Sequence, residues 1–340
     1  MDHYNTRTST FLDLDTPMTK LSWFKIALMG VTVVPRLLLA TVVMSGMALM
    51  STVAMWGWDE SEPLSPGRYR LIRLSRCCPV LTLKLLGVHV RVEGWENYLK
   101  AEKQGVKMLL FNHISYLDAF GLVGLTAASG VSKAANLKIP ILGKCVKGLQ
   151  SVNVPEKNRA RKIGEENNNT QAISITDIII KRLEDPRYPM ICLAPEGTCG
   201  NGKCLLKFRT GGFVPGKPVL PVCIKYRHQH LNPAWTIINE PMHFLRLMCQ
   251  FMNFMEVSFL PVYNPSEEEK KDPALFAENV RKLMGKHLDV PLVEEGVNEF
   301  HALLKSGIRT TYDGSEITAP PGVIDENGFA NLTLALKKTQ

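Results

Sequence analysis

Two residues in the stretch FNHISYLDAF, His113 and Asp118, are of the types that move protons, and they stand five positions apart. A carboxylate at a histidine's far ring nitrogen fixes the tautomer and favours the imidazolium that forms on taking a proton. Such a pair can act as a general base without a serine or cysteine nucleophile. On a continuous α-helix, residues five apart diverge by ~140°. The two can therefore meet only if His113 precedes the helix and folds back over its first turn, with Ser115 as N-cap and Asp118 one turn in. A plainer reading fits the same letters. Ser115-x-x-Asp118 has the form of a capping box, in which Asp118 satisfies a backbone N–H and His113 is an ordinary turn histidine.

A second stretch, APEGTCGNGK from Ala194 to Lys203, follows the apolar run Met190–Ala194. Its glycines permit close approach of backbone to a ligand. Lys203, Lys207 and Arg209 come next, and a glycine-rich turn backed by cations suits a phosphate. The alternative is a loop with solvated lysines. The spacing is not that of a Walker loop. Cys192, Cys199 and Cys204 lack the spacing of common zinc sites, so no metal is expected.

These residues need a frame. Beyond residue 87, β-rich runs (Val88–Val92, Lys107–Phe111, Val131–Ala135, Met190–Ala194, Val219–Ile224, Met255–Leu260) alternate with helical patterns. The helices are expected at Leu117–Ala128, Ile141–Leu149, Ala172–Leu183, Pro241–Phe254 and Pro273–Leu288, the last started by Asp272-Pro273. The alternation predicts an α/β fold with a largely parallel central sheet flanked by helices. Both stretches then fall at carboxyl ends of strands, where ligands bind in such folds. The polar run 158–170 reads as a loop, and Thr310–Asn331 as a mobile tail.

No charged residue occurs between Leu37 and Trp58. That length can span a ~30 Å hydrocarbon core. Flanking charges do not orient it. The run from Ile26 to Val34 is also apolar, and a break at Pro35 suits a membrane-embedded helical hairpin with both ends cytosolic; a single span is the alternative. Arg68, Arg70, Arg73 and Arg76, interleaved with leucines, read as an amphipathic interfacial helix or as a solvated helix face. The segments are thus a tail at 1–22, a membrane-embedded segment at 23–60, an interfacial helix at 61–87, an α/β domain at 88–290 and a C-terminal tail at 291–340.

The 340 residues carry a net charge of +8 and 45% hydrophobic residues. The basic balance attracts polyanions without choosing among them. No nucleic-acid-binding signature accompanies it, so no nucleic-acid partner is expected. The eight cysteines form no C-x-x-C pair and read as reduced thiols.

H-x4-D followed by E-G-T roughly 80 residues later resembles the glycerolipid acyltransferases. Glu196-Gly-Thr-Cys199, Leu260-Pro-Val-Tyr-Asn-Pro-Ser266 and the block Asp272–Val280 look like the lysophosphatidylcholine acyltransferase branch, over about residues 20–290. The resemblance implies acyl transfer from acyl-CoA, as co-substrate, to the free hydroxyl of a lysophospholipid, with no cofactor and no metal. His113 would deprotonate the hydroxyl and Asp118 would orient His113. Asn112, Ser115, Glu196, Gly197, Thr198, Lys203, Lys207 and Arg209 would bind substrate.

The chain departs from the family pattern in places. Cys199 stands where the wider family often has arginine. A phosphate monoester carries roughly −1.5 to −2 charge, so losing a cation favours diester acceptors, lysophosphatidylcholine or lysophosphatidylethanolamine, over lysophosphatidate. Glu156 replaces another usual arginine, with Lys157 or Arg159 as substitutes, and keeps a catalytically silent lipid-binding scaffold as an alternative. A lysophosphatidate acyltransferase is the other. Branch members often carry calcium-binding EF-hands; no D-x-D-x-D-G loop occurs here, so calcium control is not expected. Lys337-Lys338-Thr339-Gln340 resembles a dilysine retrieval signal. The expected location is the endoplasmic reticulum membrane with the catalytic domain facing the cytosol, which would leave the acceptor motifs at Asn168 and Asn331 unmodified.

Overall fold

The segment Met108–Phe111 is apolar and buried at every position, as befits a strand covered on both faces. It is β2 of a seven-stranded sheet seen in the computed structural model, which describes residues 10–154 and 174–321. Expectations for Glu156, Lys157, Arg159, the run 158–170, Asn168, Asn331 and Lys337–Gln340 lie outside those residues. The strands are β1 (Val88–Glu93), β2, β3 (Ser129–Lys133), β4 (Val152–Val154), β5 (Ile191–Leu193), β6 (Val219–Arg227) and β7 (Asn253–Phe259), in the order β1-β7-β6-β2-β5-β3-β4. All pairings are parallel except β6 with β7. The carboxyl ends of β2, β5 and β6 therefore share one end of the sheet with the amino ends of β7 and β1.

Alternation along β2 feeds two cores. Leu109 and Phe111 join Leu83, Leu117, Leu122 and Met255 on one face. Met108 and Leu110 join Phe213, Phe276 and Val280 on the other. The Pro273–Leu288 helix that covers this second face starts as its sequence indicates: Asp272 accepts from the N–H groups of Ala274 and Leu275 at 2.9 and 3.1 Å.

The N-terminal apolar stretch is one continuous helix, α1 (Lys20–Ala54), with Pro35 inside it. The expected hairpin break is absent. The Arg36 guanidinium donates to the carbonyls of Leu85 and Met248, both at 2.7 Å. Val33 and Ala40 are buried on either side. Packing thus holds the helix through a residue that would otherwise kink it. The segment 61–87 is two helices, α2 (Pro66–Leu74) and α3 (Cys77–Leu85). Cys78, Thr82 and Leu83 of α3 are buried, so this half is core rather than an interfacial surface.

The expected helix over Pro241–Phe254 ends at Met248. Asn253 donates its N–H to Gly87 at 2.8 Å and starts β7, so pairing with β1 wins over helical continuation. The helix α4 (Trp95–Lys103) and strand β4 were not expected from the sequence. Nor is the region after 290 a bare tail. A helix covers Val297–Lys305, and β8 (Arg309–Thr310) pairs with β9 (Ile317–Thr318). Leu303 and Ile308 pack with Phe11, Leu12 and Leu206.

Candidate active site

The turn after β2 brings the two residues of the opening motif together. His113 Nδ1 lies 2.8 Å from Asp118 Oδ2, and Asp118 is one residue into α5 (Leu117–Thr126). Asp118 is fully buried, and the histidine side chain keeps 25% of its surface. The same Oδ2 accepts the N–H groups of Ile114 (2.7 Å) and Ser115 (2.9 Å), while Oδ1 accepts the Tyr226 hydroxyl at 2.6 Å. Asp118 is both a cap of the turn and the partner of His113. With donors already on it, it acts towards His113 as an acceptor, which places the proton on Nδ1 and makes Nε2 the accepting nitrogen of the ring.

Tyr226, at the carboxyl end of β6, was not legible as a site residue. It looks like one more apolar position in VLPVCIKYR, and its hydroxyl meets Asp118 only because β6 pairs directly with β2. Burial, reinforced by the Asp118 charge, pushes its pKa well above the ordinary phenol value, so it stays a donor.

The two motifs are one structure. Glu196, almost wholly buried, accepts the His113 N–H through Oε1 at 2.6 Å and the Leu206 N–H through Oε2 at 3.0 Å. The His113 carbonyl accepts the Gly200 N–H at 2.9 Å. Both backbone groups of the histidine are thus clamped by the E-G-T turn. Burial raises the Glu196 pKa to about 7 against the pull of those two N–H groups. Gly197 is needed at this turn: its φ is +73°, and a Cβ there would come within 3.0 Å of Arg209 Cδ.

Burial opposes a charged imidazole at His113, but contacts with Cys199 and Asp118 outweigh it, and the pKa lies well above 6.5. Cys199 is itself held as a neutral thiol by burial. At neutral pH Asp118 is therefore the partner that favours the imidazolium.

The other expected substrate contacts sort by what already engages them. The Asn112 amide bridges to both backbone groups of Ile224, at 2.9 and 2.7 Å, and so ties β2 to β6. Ser115 is buried and its hydroxyl accepts the Leu117 N–H at 3.3 Å. With Glu196, these side chains hold the turn. Lys203 is paired with Asp13 and Asp15, and Lys207 with Glu294 at 2.9 Å. Thr198 is buried beside the clamped turn. Among the described residues Arg209 has no carboxylate partner; it is exposed and packs on Gly197. Also among the described residues, no group of three or more His, Cys, Asp or Glu is placed to hold a metal ion.

A protein-family model described as Acyltransferase matches residues 89–225, the interval that holds both motifs, β2 to β5 and most of β1 and β6. The chain carries an acyltransferase-family domain. Over 297 residues it is 36% identical to lysophosphatidylcholine acyltransferase 1 of Danio rerio, covering 85% of this chain and 54% of the relative. The human lysophosphatidylcholine acyltransferase 1 is 32% identical over 288 residues, 83% of this chain and 52% of the relative. Lysophospholipid acyltransferase LPEAT1 of Arabidopsis thaliana is 37% identical over 210 residues, 60% and 51%. The chain spans about half the length of these curated relatives. Among solved structures, the 1-acyl-sn-glycerophosphate acyltransferase PlsC of Thermotoga maritima superposes with a TM-score of 0.54 at 16% identity, covering 78% of this chain and 96% of that one. The acyltransferase domain shares that protein's fold.

Proposed function

We propose that the protein transfers an acyl chain from acyl-CoA to the free hydroxyl of a lysophospholipid. The observation that carries this reading is His113, clamped at both backbone groups and hydrogen-bonded through Nδ1 to a buried carboxylate. Neutral His113 takes the hydroxyl proton on Nε2 as the acceptor oxygen attacks the thioester carbonyl. The C–S bond breaks and CoA leaves as the thiol, its sulfur taking that proton from the imidazolium. Asp118, held in place by Tyr226, stabilises the imidazolium between those two events. A general base of this kind contributes ~10²–10⁴-fold; positioning of the two substrates supplies the rest. No cofactor is invoked.

Among the described residues following the E-G-T turn, Arg209 is the cation available for the acceptor phosphate, since Lys203 and Lys207 are held by carboxylates. One exposed guanidinium, with Cys199 in place of a further cation, suits a phosphodiester better than a monoester. The reading therefore favours lysophosphatidylcholine or lysophosphatidylethanolamine over lysophosphatidate.

The membrane is the other partner. α1 is ~52 Å long, well beyond a ~30 Å hydrocarbon core. Buried positions from Lys25 to Ala54 touch the domain along its whole length, while Trp23, Phe24, Leu28, Val31, Leu38, Val42, Leu49 and Val53 are exposed. A helix covered on one side throughout suits a position in the plane of a leaflet, with both ends on the same side. The spacing of the eight cysteines, with no C-x-x-C pair, fits a cytosolic face, and the reading places that face on the endoplasmic reticulum. No nucleic-acid role is proposed.

The test offers detergent-purified protein labelled oleoyl-CoA with each of the three acceptors separately. Transfer to lysophosphatidylcholine or lysophosphatidylethanolamine is expected to exceed that to lysophosphatidate. A clear preference for lysophosphatidate overturns the headgroup assignment, and no transfer to any acceptor overturns the enzymatic reading.

A further inference from the structure

At the turn between the Glu240–Met248 helix and β7, the usual burial order is inverted. Phe251 and Met252 are 55% and 58% exposed, while Gln250 before them is 7% exposed and Asn253 after them is buried. The turn is firmly held. Gln250 Oε1 accepts from Lys25 Nζ at 2.8 Å, and Gln250 Nε2 donates to the Arg246 carbonyl at 3.1 Å. Asn253 donates its N–H to Gly87 at 2.8 Å and its amide to Leu247 at 3.3 Å. Facing water, this arrangement is unfavourable twice over, since apolar surface is wetted and polar groups are desolvated. It is favourable where the surroundings are themselves apolar.

The adjoining part of α1 repeats the inversion. Lys25 is 6% exposed, while its neighbours Trp23, Phe24 and Leu28 project outward. Lys25 Nζ lies 5.9 Å from the Phe251 ring centroid, so the two outward-facing apolar surfaces share one buried cation. The turn also lies at the catalytic end of the sheet. Phe254 pairs with Arg227 and Met255 with Tyr226, so Phe251 and Met252 project beyond the end where Tyr226 meets Asp118.

We propose that Phe251 and Met252 insert among the acyl chains of the leaflet on which α1 lies, forming a second lipid contact that seats the catalytic end of the sheet against the membrane. The proposal rests on the reading of α1 as a lipid-facing helix. Continuity with the exposed apolar stripe of α1 favours lipid over a protein partner. Two contacts, one along α1 and one at the sheet end, fix the tilt of the domain. A lysophospholipid can then pass from the leaflet to His113 without its chain crossing water.

The experiment has two arms. In vesicles with brominated acyl chains, the added tryptophan emission of Phe251→Trp is expected to be quenched along with the native emission of Trp23 and Trp56. Quenched native emission with an unquenched residue 251 overturns the proposal and leaves the α1 reading standing. If neither is quenched, both fall. In the second arm, Phe251→Glu with Met252→Glu is expected to lower transfer to a long-chain lysophospholipid in vesicles by about tenfold, the low end of what losing one buried phenylalanine costs. Transfer to a short-chain acceptor below its micellar concentration should be unchanged. Equal loss on both acceptors, or loss on neither, overturns the proposal.

Discussion

Tyr226 Oη donates to Asp118 Oδ1 at 2.6 Å, from a strand 108 residues downstream of the carboxylate it holds. The bond extends the His113–Asp118 pair into a three-residue chain fixed by the pairing of β2 with β6. Tyr226→Phe keeps the ring and removes the donor. A hydrogen bond to a charged group is worth about 1.5–3 kcal/mol, so kcat should fall roughly ten- to a hundredfold with KM little changed and folding intact. A variant with wild-type kcat would reduce Tyr226 to a packing role.

Asp118→Asn probes the charge. His113 is a base only when neutral, so activity falls as pH drops through its pKa, which lies well above 6.5 in the wild-type protein. Removing the carboxylate lowers that pKa. The acid limb of kcat/KM should move to lower pH while the plateau falls. A limb that does not move would mean that a different group sets it.

The opening motif was legible because its whole geometry lies within six residues: a strand end, a turn and the first residues of a helix. The choice between histidine partner and helix cap was not, and Asp118 makes both sets of hydrogen bonds. The partners of the cations were not legible in the sequence for a related reason. Lys203 and Lys207 acquire their partners from Asp13 and Glu294, distant segments that only the fold assembles. Pro35 read as a break because the carbonyls that hold Arg36 come from α3 and from the Glu240–Met248 helix. Local pattern located the elements; contacts across the chain decided which side chains were left available.

Arg209 and Lys207 separate under mutation. Arg209→Ala should raise KM for the acceptor about tenfold, as expected for a charge-assisted contact with phosphate. Lys207→Ala removes only an exposed ion pair, and its acceptor KM should stay within about twofold of wild type. Equal effects from the two would remove Arg209 from the site.

Glu196 links stability to pH. Its folded pKa of about 7 is raised from 4.5. The native state therefore binds the proton more tightly than the unfolded chain, and this stabilisation is complete below 4.5 and lost as pH rises through about 7. Thermal scans should show Tm falling across that window in the wild-type protein. Glu196→Gln should abolish the fall between pH 4.5 and 6.5, below the window in which His113 titrates. It should also lower stability overall by about 1–3 kcal/mol, because an amide cannot accept both backbone N–H groups. An unchanged slope would contradict the raised pKa of buried Glu196.

The most direct measurement is the initial rate of acyl transfer from labelled oleoyl-CoA to lysophosphatidylcholine and lysophosphatidylethanolamine by wild-type protein and by His113→Ala, with circular dichroism on both. The expected result is transfer by the wild type and a loss of about 10²–10⁴-fold in the variant at unchanged fold. Transfer by His113→Ala at the wild-type rate would contradict the assignment of His113 as the base.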